Sequence, residues 1–173
     1  MTSTPEHDGT VKVADKIEKR VVLRAPLARV WRAISDSAQF GSWFGVAFEG
    51  PFVPGQPLRG KIVPTTADPD VAKMQEPYKG ANFDITVEKL EPEKEFAFRW
   101  HPFAIDPGAD YSQEPTTLVV FGLKEVPDGV ELTITESGFD RIPLARRAQA
   151  FTANDGGWTH QAKLVEKYLA QTA

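Results

Sequence analysis

The spacing of apolar residues along this chain changes period more than once, and each change predicts an element. Over residues 16–24 the run K-I-E-K-R-V-V-L-R puts Ile17, Val21 and Leu23 on one parity, with charges mostly on the other. That pattern predicts a strand with one wet face. Pro26 then opens a helical spacing, with Leu27, Val30, Trp31 and Ile34 at i, i+3, i+4 and i+7; proline suits a first helical turn. Ser35 or Asp36 is placed to cap a second short helix ending at Phe40-Gly41. Residues 42–63 read as two short strands, with the glycines and prolines between Gly50 and Pro57 as their turn. Residues 80–89 alternate cleanly, Phe83, Ile85 and Val87 facing in against Asp84, Thr86 and Glu88. Residues 95–101 alternate again, Phe96, Phe98 and Trp100 on one side and Ala97, Arg99 and His101 on the other. A strand over 116–125, the hairpin signal Pro127-Asp128-Gly129 and a strand over 130–137 complete the series.

The period returns to helical in the closing stretch, residues 154–171. Trp158, Ala162, Val165 and Leu169 fall at i, i+4, i+7 and i+11, Leu164 and Tyr168 widen the stripe, and Asp155 is the expected N-cap. Pro143 starts an earlier helical run, so Gly156-Gly157 either kinks one long helix or separates two. An apolar stripe this wide needs a cover, and the strands supply it. Strands grouped together with helices at the ends predict an α+β fold: a curved antiparallel sheet of six to seven strands around a long C-terminal helix, with two short helices after the first strand.

Three stretches stand outside the pattern. Residues 1–14 are polar and aperiodic and are expected to be a flexible tail before one domain over 15–173. Residues 64–79 carry three prolines and little periodicity, which reads as a lid at one end of the sheet or a tolerated surface insertion. Residues 102–115 form a second long loop.

Composition narrows the class. A chain of 173 residues with 41% hydrophobic content can bury a core of ordinary size. The net charge of −4 argues against nucleic acid as a partner. No run approaches the length of a membrane span, and the N-terminus has no secretory pattern. Cysteine is absent, which removes disulfides, thiol catalysis, cysteine-ligated zinc and iron–sulfur clusters, and fits a cytoplasmic location. His7, His101 and His160 lack metal-ligand spacing, and there is no nucleophile elbow, phosphate loop or dinucleotide fingerprint. No cofactor is expected.

One carboxylate stands out. Glu136 continues the inward parity of Val130, Leu132 and Ile134, so a regular strand carries it into the interior. Buried there it needs a partner, for which Arg99, His101 or His160 are placed. It is then a polar anchor for a ligand or a general base; the plainer alternatives are a salt bridge at the sheet rim or a bulge turning it outward. The aromatics divide in the same way. Trp43, Phe44, Phe83, Phe98, Trp100, Phe121, Phe151 and Trp158 either line a cavity or fill it. Arg141, Arg146 and Arg147 form a basic cluster read as a solvated face, with a partner patch second.

Taken together, I-E-K-R-V-V-L-R-A-P, V-W-R-A-I, S-W-F, F-A-F-R-W-H, T-I-T-E-S-G-F and G-G-W with its helix resemble the SRPBCC, or START-like, superfamily. Within it they are similar to the group named after the activator of heat shock protein 90 ATPase, over about residues 16–171. The resemblance implies a helix-grip fold with a cavity between sheet and C-terminal helix, no cofactor and no particular activity. The expectation is therefore binding of a small hydrophobic or aromatic molecule without defined catalysis. Trp43, Phe44, Phe83, Phe98, Trp100, Phe121 and Trp158 would form the walls, and Glu136 with Arg99 or His101 the polar end. The alternatives are a co-chaperone-type protein acting on a chaperone ATPase, and a cofactor-free cyclase or lyase using Glu136 in the same cavity.

Overall fold

The computed structural model describes residues 16–104, 106 and 108–172. The tail expected over 1–14, with His7, lies outside the described residues. Strand β1 (Lys16–Leu23) leads into helices α1 (Leu27–Ser35) and α2 (Ser37–Phe44). Strands β2 (Val46–Phe48) and β3 (Pro57–Ile62) precede helix α3 (Pro69–Gln75). Then come β4 (Asn82–Glu91), β5 (Glu95–Trp100), β6 (Thr117–Val126) and β7 (Gly129–Ser137), and helix α4 (Leu144–Gln171) ends the chain.

All seven strands form one antiparallel sheet in the order β1-β7-β6-β5-β4-β3-β2. Short hairpin turns join β4 to β5 and β6 to β7, the long loop over 102–115 joins β5 to β6, and β1 returns to pair with β7. With α4 gripped by the curved sheet, this is the helix-grip fold. The alternation reads through faithfully. Val130, Leu132, Ile134 and Glu136 of β7 are all buried, while the residues between them are half-buried. In β4 the period slips once, at a bulge between Val87 and Lys89.

Helices α1 and α2 meet at Asp36, which caps α2 by accepting from the Ala38 amide. Helix α2 runs on past Phe40-Gly41 to Phe44 and stops at Gly45, whose φ of 104° suits glycine. Gly41 is required for a different reason: a Cβ there would sit 2.0 Å from the Val46 carbonyl oxygen, so only glycine lets α2 approach β2.

One expectation needs correction, and one segment whose role was left open proves to hold a helix. Helix α4 is one continuous element starting after Pro143, so Asp155 is not an N-cap; it lies mid-helix and pairs with Lys19 at 3.0 Å. Segment 64–79 is neither structureless nor detached. It contains α3, capped by Asp68, and it is tied down at both ends. Thr65 donates to the Trp43 carbonyl at 2.7 Å, and its own amide donates to Gln75 at 2.7 Å. Gln75 in turn donates to the Phe44 carbonyl at 3.0 Å, Gln171 donates to the Ala67 carbonyl at 3.0 Å, and Lys167 pairs with Asp68. Three prolines hid a seven-residue helix because its apolar stripe is too short to show a period.

Candidate functional site

The interior between α4 and the sheet divides into a sealed part and an open part. In the sealed part Phe40, Trp43, Phe96, Phe98 and Phe121 are each 0–1% exposed. Their rings touch one another: Phe40 lies 4.9 Å from Trp43, 5.9 Å from Phe96 and 5.8 Å from Phe121, centroid to centroid. The one polar atom of Trp43, its indole N–H, donates to the Ala33 carbonyl at 2.8 Å. Trp43, Phe98 and Phe121, expected as cavity walls, belong to this packed part and are not among the residues that line the cleft described next. Phe151 packs elsewhere, against Phe139 at 5.1 Å.

The open part is an elongated cleft between β3–β5, the loop after β5, and the middle of α4. It measures about 1400 Å³ in all, and its lining extends to the ion pair Arg59–Asp84 on β3 and β4. The portion facing α4 has an aromatic wall in which four rings close a cycle. Phe44 to Phe83 is 5.4 Å, Phe83 to Trp100 5.3 Å, Trp100 to Trp158 5.7 Å and Trp158 to Phe44 5.9 Å. From α4 the cleft receives Asn154, Gly157, Trp158 and Gln161, which share one face of the helix. At Gly157 an added Cβ would meet nothing within 4 Å, so this side of the helix fronts open space.

Glu136 sits behind the wall and is fully buried. Four donors hold it. Trp100 and Thr117 donate to Oε2 at 2.8 and 2.5 Å, Trp158 donates to Oε1 at 2.8 Å, and the Asn154 amide spans both oxygens at 3.0 and 3.1 Å. A carboxylate offers about four lone-pair positions, so this one is saturated. Strand β5 supplies the first indole, β6 the hydroxyl, and α4 the second indole and the amide. Glu136 therefore ties the helix to the sheet and fixes both tryptophan rings of the cleft in orientation.

The cationic partners expected for Glu136 are not there. Arg99 follows strand parity to the outer face and donates to Glu88 at 3.2 Å; His160 is exposed on α4. No ion pair reaches Glu136 among the described residues. The donors that do reach it escaped sequence reading, because Thr117 and Asn154 approach from other elements. One signal was available: Asn154 and Gln161 fall at i−4 and i+3 from Trp158, two polar residues on the border of the apolar stripe.

His101 stands at the cleft beyond the end of β5, and its Nδ1 is buried without a hydrogen-bond partner among the described residues. The same holds for Oε1 of Gln161. The Gln161 amide is oriented by its Nε2, which donates to the Phe44 carbonyl at 3.2 Å, and that leaves the oxygen as the free acceptor.

Among the described residues of the 102–115 loop, four are tied to α4 by the Arg146 side chain. Arg146 donates to the carbonyls of Pro102 and Phe103, both at 3.1 Å, and to Glu114 at 2.7 Å, and it stacks over the Tyr111 ring at 4.7 Å. Phe103 has a φ of 52°, uncommon for a bulky residue, and this staple holds its carbonyl. Arg146 is thus no solvated cation. Arg147 closes the turn before α4 by donating to the carbonyls of Asp140 and Ile142. Among the described residues no helix is long and apolar enough to cross a membrane, and no cluster of histidines and carboxylates could hold a metal ion.

Solved structures share this architecture. Protein MLL2253 from Mesorhizobium loti is 20% identical over 91% of this chain and 98% of its own, with a TM-score of 0.65. A protein from Arthrobacter aurescens solved by NMR is 18% identical over 92% of this chain and 88% of its own, with a TM-score of 0.68. DynU16, from the dynemicin biosynthetic locus, is 24% identical over 90% of this chain but only 47% of its own, with a TM-score of 0.63. At these identities the likeness is one of fold. No curated protein matches the chain. The family described as activator of Hsp90 ATPase homolog 1-like protein matches residues 24–170, most of the chain. The protein belongs to that family.

Proposed function

We propose that the cleft beside α4 binds a small, flat hydrophobic or aromatic molecule, which enters against the ring cycle of Phe44, Phe83, Trp100 and Trp158. The observation that carries this reading is that an aromatic wall opens to the cleft while its polar backing is fully spent. Both indole N–H groups point away from the cleft to Glu136, so the ring faces and edges left for a ligand are apolar. Offset or edge-on packing of a ligand ring on two such indoles adds about 0.5–1.5 kcal/mol per ring pair beyond the area it buries.

The reading assigns Glu136 a positioning role. A general base needs an acceptor position within reach of substrate, and every such position on Glu136 is occupied by protein. Catalysis in this cleft would have to come from elsewhere, and we carry no second reading forward. The co-chaperone alternative finds support in the family's description only.

Calorimetric titration with 2-methoxynaphthalene, an apolar bicyclic probe, tests the reading. We expect saturable one-site binding and, at 100 times its Kd, a stabilisation of about 2.7 kcal/mol in thermal unfolding. Absence of both would defeat it.

A further inference from the structure

The two buried polar atoms left without partners on the cleft, His101 Nδ1 and Gln161 Oε1, say more about the ligand than the aromatic wall does. Elsewhere around α4 polar atoms are matched with care: Glu136 has four donors, and the Arg146 guanidinium binds two carbonyls and a carboxylate. An unpartnered buried acceptor costs about 1–3 kcal/mol, so a fold that satisfies its other polar groups does not leave one idle without cause. Gln161 cannot resolve the problem by rotating. Its Nε2 is committed to the Phe44 carbonyl, and turning the amide would present two N–H groups to the cleft and an oxygen to a carbonyl.

Resting on the cleft reading above, we infer that the ligand carries a hydrogen-bond donor, a hydroxyl or N–H on the edge of a flat ring, and gives it to Gln161 Oε1. Charge supports a neutral donor over an anion. The carboxylate of Glu136 stands directly behind Trp100 and Trp158 with no cation on it, so its field favours positively polarised groups in front of them and disfavours a ligand carboxylate. Three arginines around the cleft are paired with carboxylates, Arg146 with Glu114, Arg99 with Glu88 and Arg59 with Asp84, while Lys61 at the cleft donates to the neutral Asn82 side-chain oxygen at 2.8 Å. The ligand class is therefore a neutral hydroxylated or N–H-bearing aromatic, a phenol being the simplest case.

The test compares 2-naphthol with 2-methoxynaphthalene, which keeps the ring system and the oxygen but lacks the donor. Calorimetry on the full chain should give 2-naphthol a Kd about tenfold lower, equivalent to ~1.4 kcal/mol. In Gln161→Leu the two probes should bind equally, with 2-methoxynaphthalene within about twofold of its wild-type Kd. Equal affinities in the wild-type protein, or an advantage for 2-naphthol that survives Gln161→Leu, would overturn the inference while leaving the cleft reading intact. Failure of both probes to bind would overturn the cleft reading and this inference with it. The wild-type ratio decides the matter even if the variant folds poorly.

Discussion

The two halves of the aromatic interior are built from the same residue types and do opposite things. Around Phe40, Trp43, Phe96 and Phe121 the rings interlock, water is excluded, and the one indole N–H is paired with a carbonyl inside the fold. Around Phe44, Phe83, Trp100 and Trp158 the rings touch just as closely, yet one side of the wall is open and two polar atoms beside it are unpaired. Aromatic content therefore does not separate scaffold from site in this protein. Hydrogen-bond satisfaction does differ: the indole N–H of the sealed half is paired within the fold, while His101 Nδ1 and Gln161 Oε1 beside the open wall have no partner among the described residues.

The largest perturbation is expected at the seam between the halves. Replacing Glu136 with Leu orphans two indole N–H groups, a hydroxyl and an amide in a dry interior, and should cost about 4 kcal/mol or more in urea unfolding. A loss below about 1 kcal/mol would mean that Glu136 does not clamp α4 to the sheet. The next effect tests the open half alone. Gly157→Phe places a ring in the cleft without meeting protein atoms at its Cβ, so it should weaken 2-methoxynaphthalene binding at least about tenfold while stability holds. Its control, Gly157→Ala, should stabilise the mid-helix position by about 0.5–1 kcal/mol and leave binding intact. A Phe variant that binds normally would place the ligand elsewhere.

A smaller effect is expected at the staple. Arg146→Ala frees the carbonyls of Pro102 and Phe103 and the Tyr111 ring, and should raise the probe's Kd by roughly three- to tenfold with about 1–2 kcal/mol lost in stability, because a half-buried charged donor is removed. If affinity is unmoved, the loop over 102–115 does not help to form the cleft. The smallest effect lies far from the cleft. The hydrogen bond from Lys167, then that from the Val71 amide, holds the Asp68 carboxyl below its ordinary range. A carboxylate depressed in the folded state lends stability that is fully present above its unfolded pKa, about pH 4, and is lost as pH falls below that through the folded value. In Lys167→Ala an NMR titration should find the Asp68 pKa moved up toward the ordinary value; no movement would assign the depression to the helix cap instead.

Much of the fold was legible because period-two alternation is a strong signal. It put Glu136 on the buried face of β7 and Phe83 and Trp100 on the inner faces of β4 and β5. It also put Arg99 on the outer face, and by parity alone Arg99 was no partner for Glu136. What periodicity does not carry is position within the interior. Trp43 and Phe44 are neighbours on α2, yet one is sealed and the other fronts the cleft, because the packing of α4 and not the helix period decides which end is closed. Thr117, Asn154 and Gln161 were missed as partners for the same reason. Their significance lies in contacts between elements, and a chain read in order shows only neighbours. Arg146 looked like a surface cation because the loop it binds has no pattern of its own.

The division between sealed and open halves can be read from the four tryptophan indole N–H resonances in a two-dimensional ¹⁵N–¹H spectrum. On addition of 2-naphthol the Trp100 and Trp158 signals should move in a saturable way, together with the Gln161 side-chain amide, while Trp43 stays fixed. Equal movement of Trp43, or a spectrum in which Trp100 and Trp158 are unchanged at saturating probe, would contradict the account.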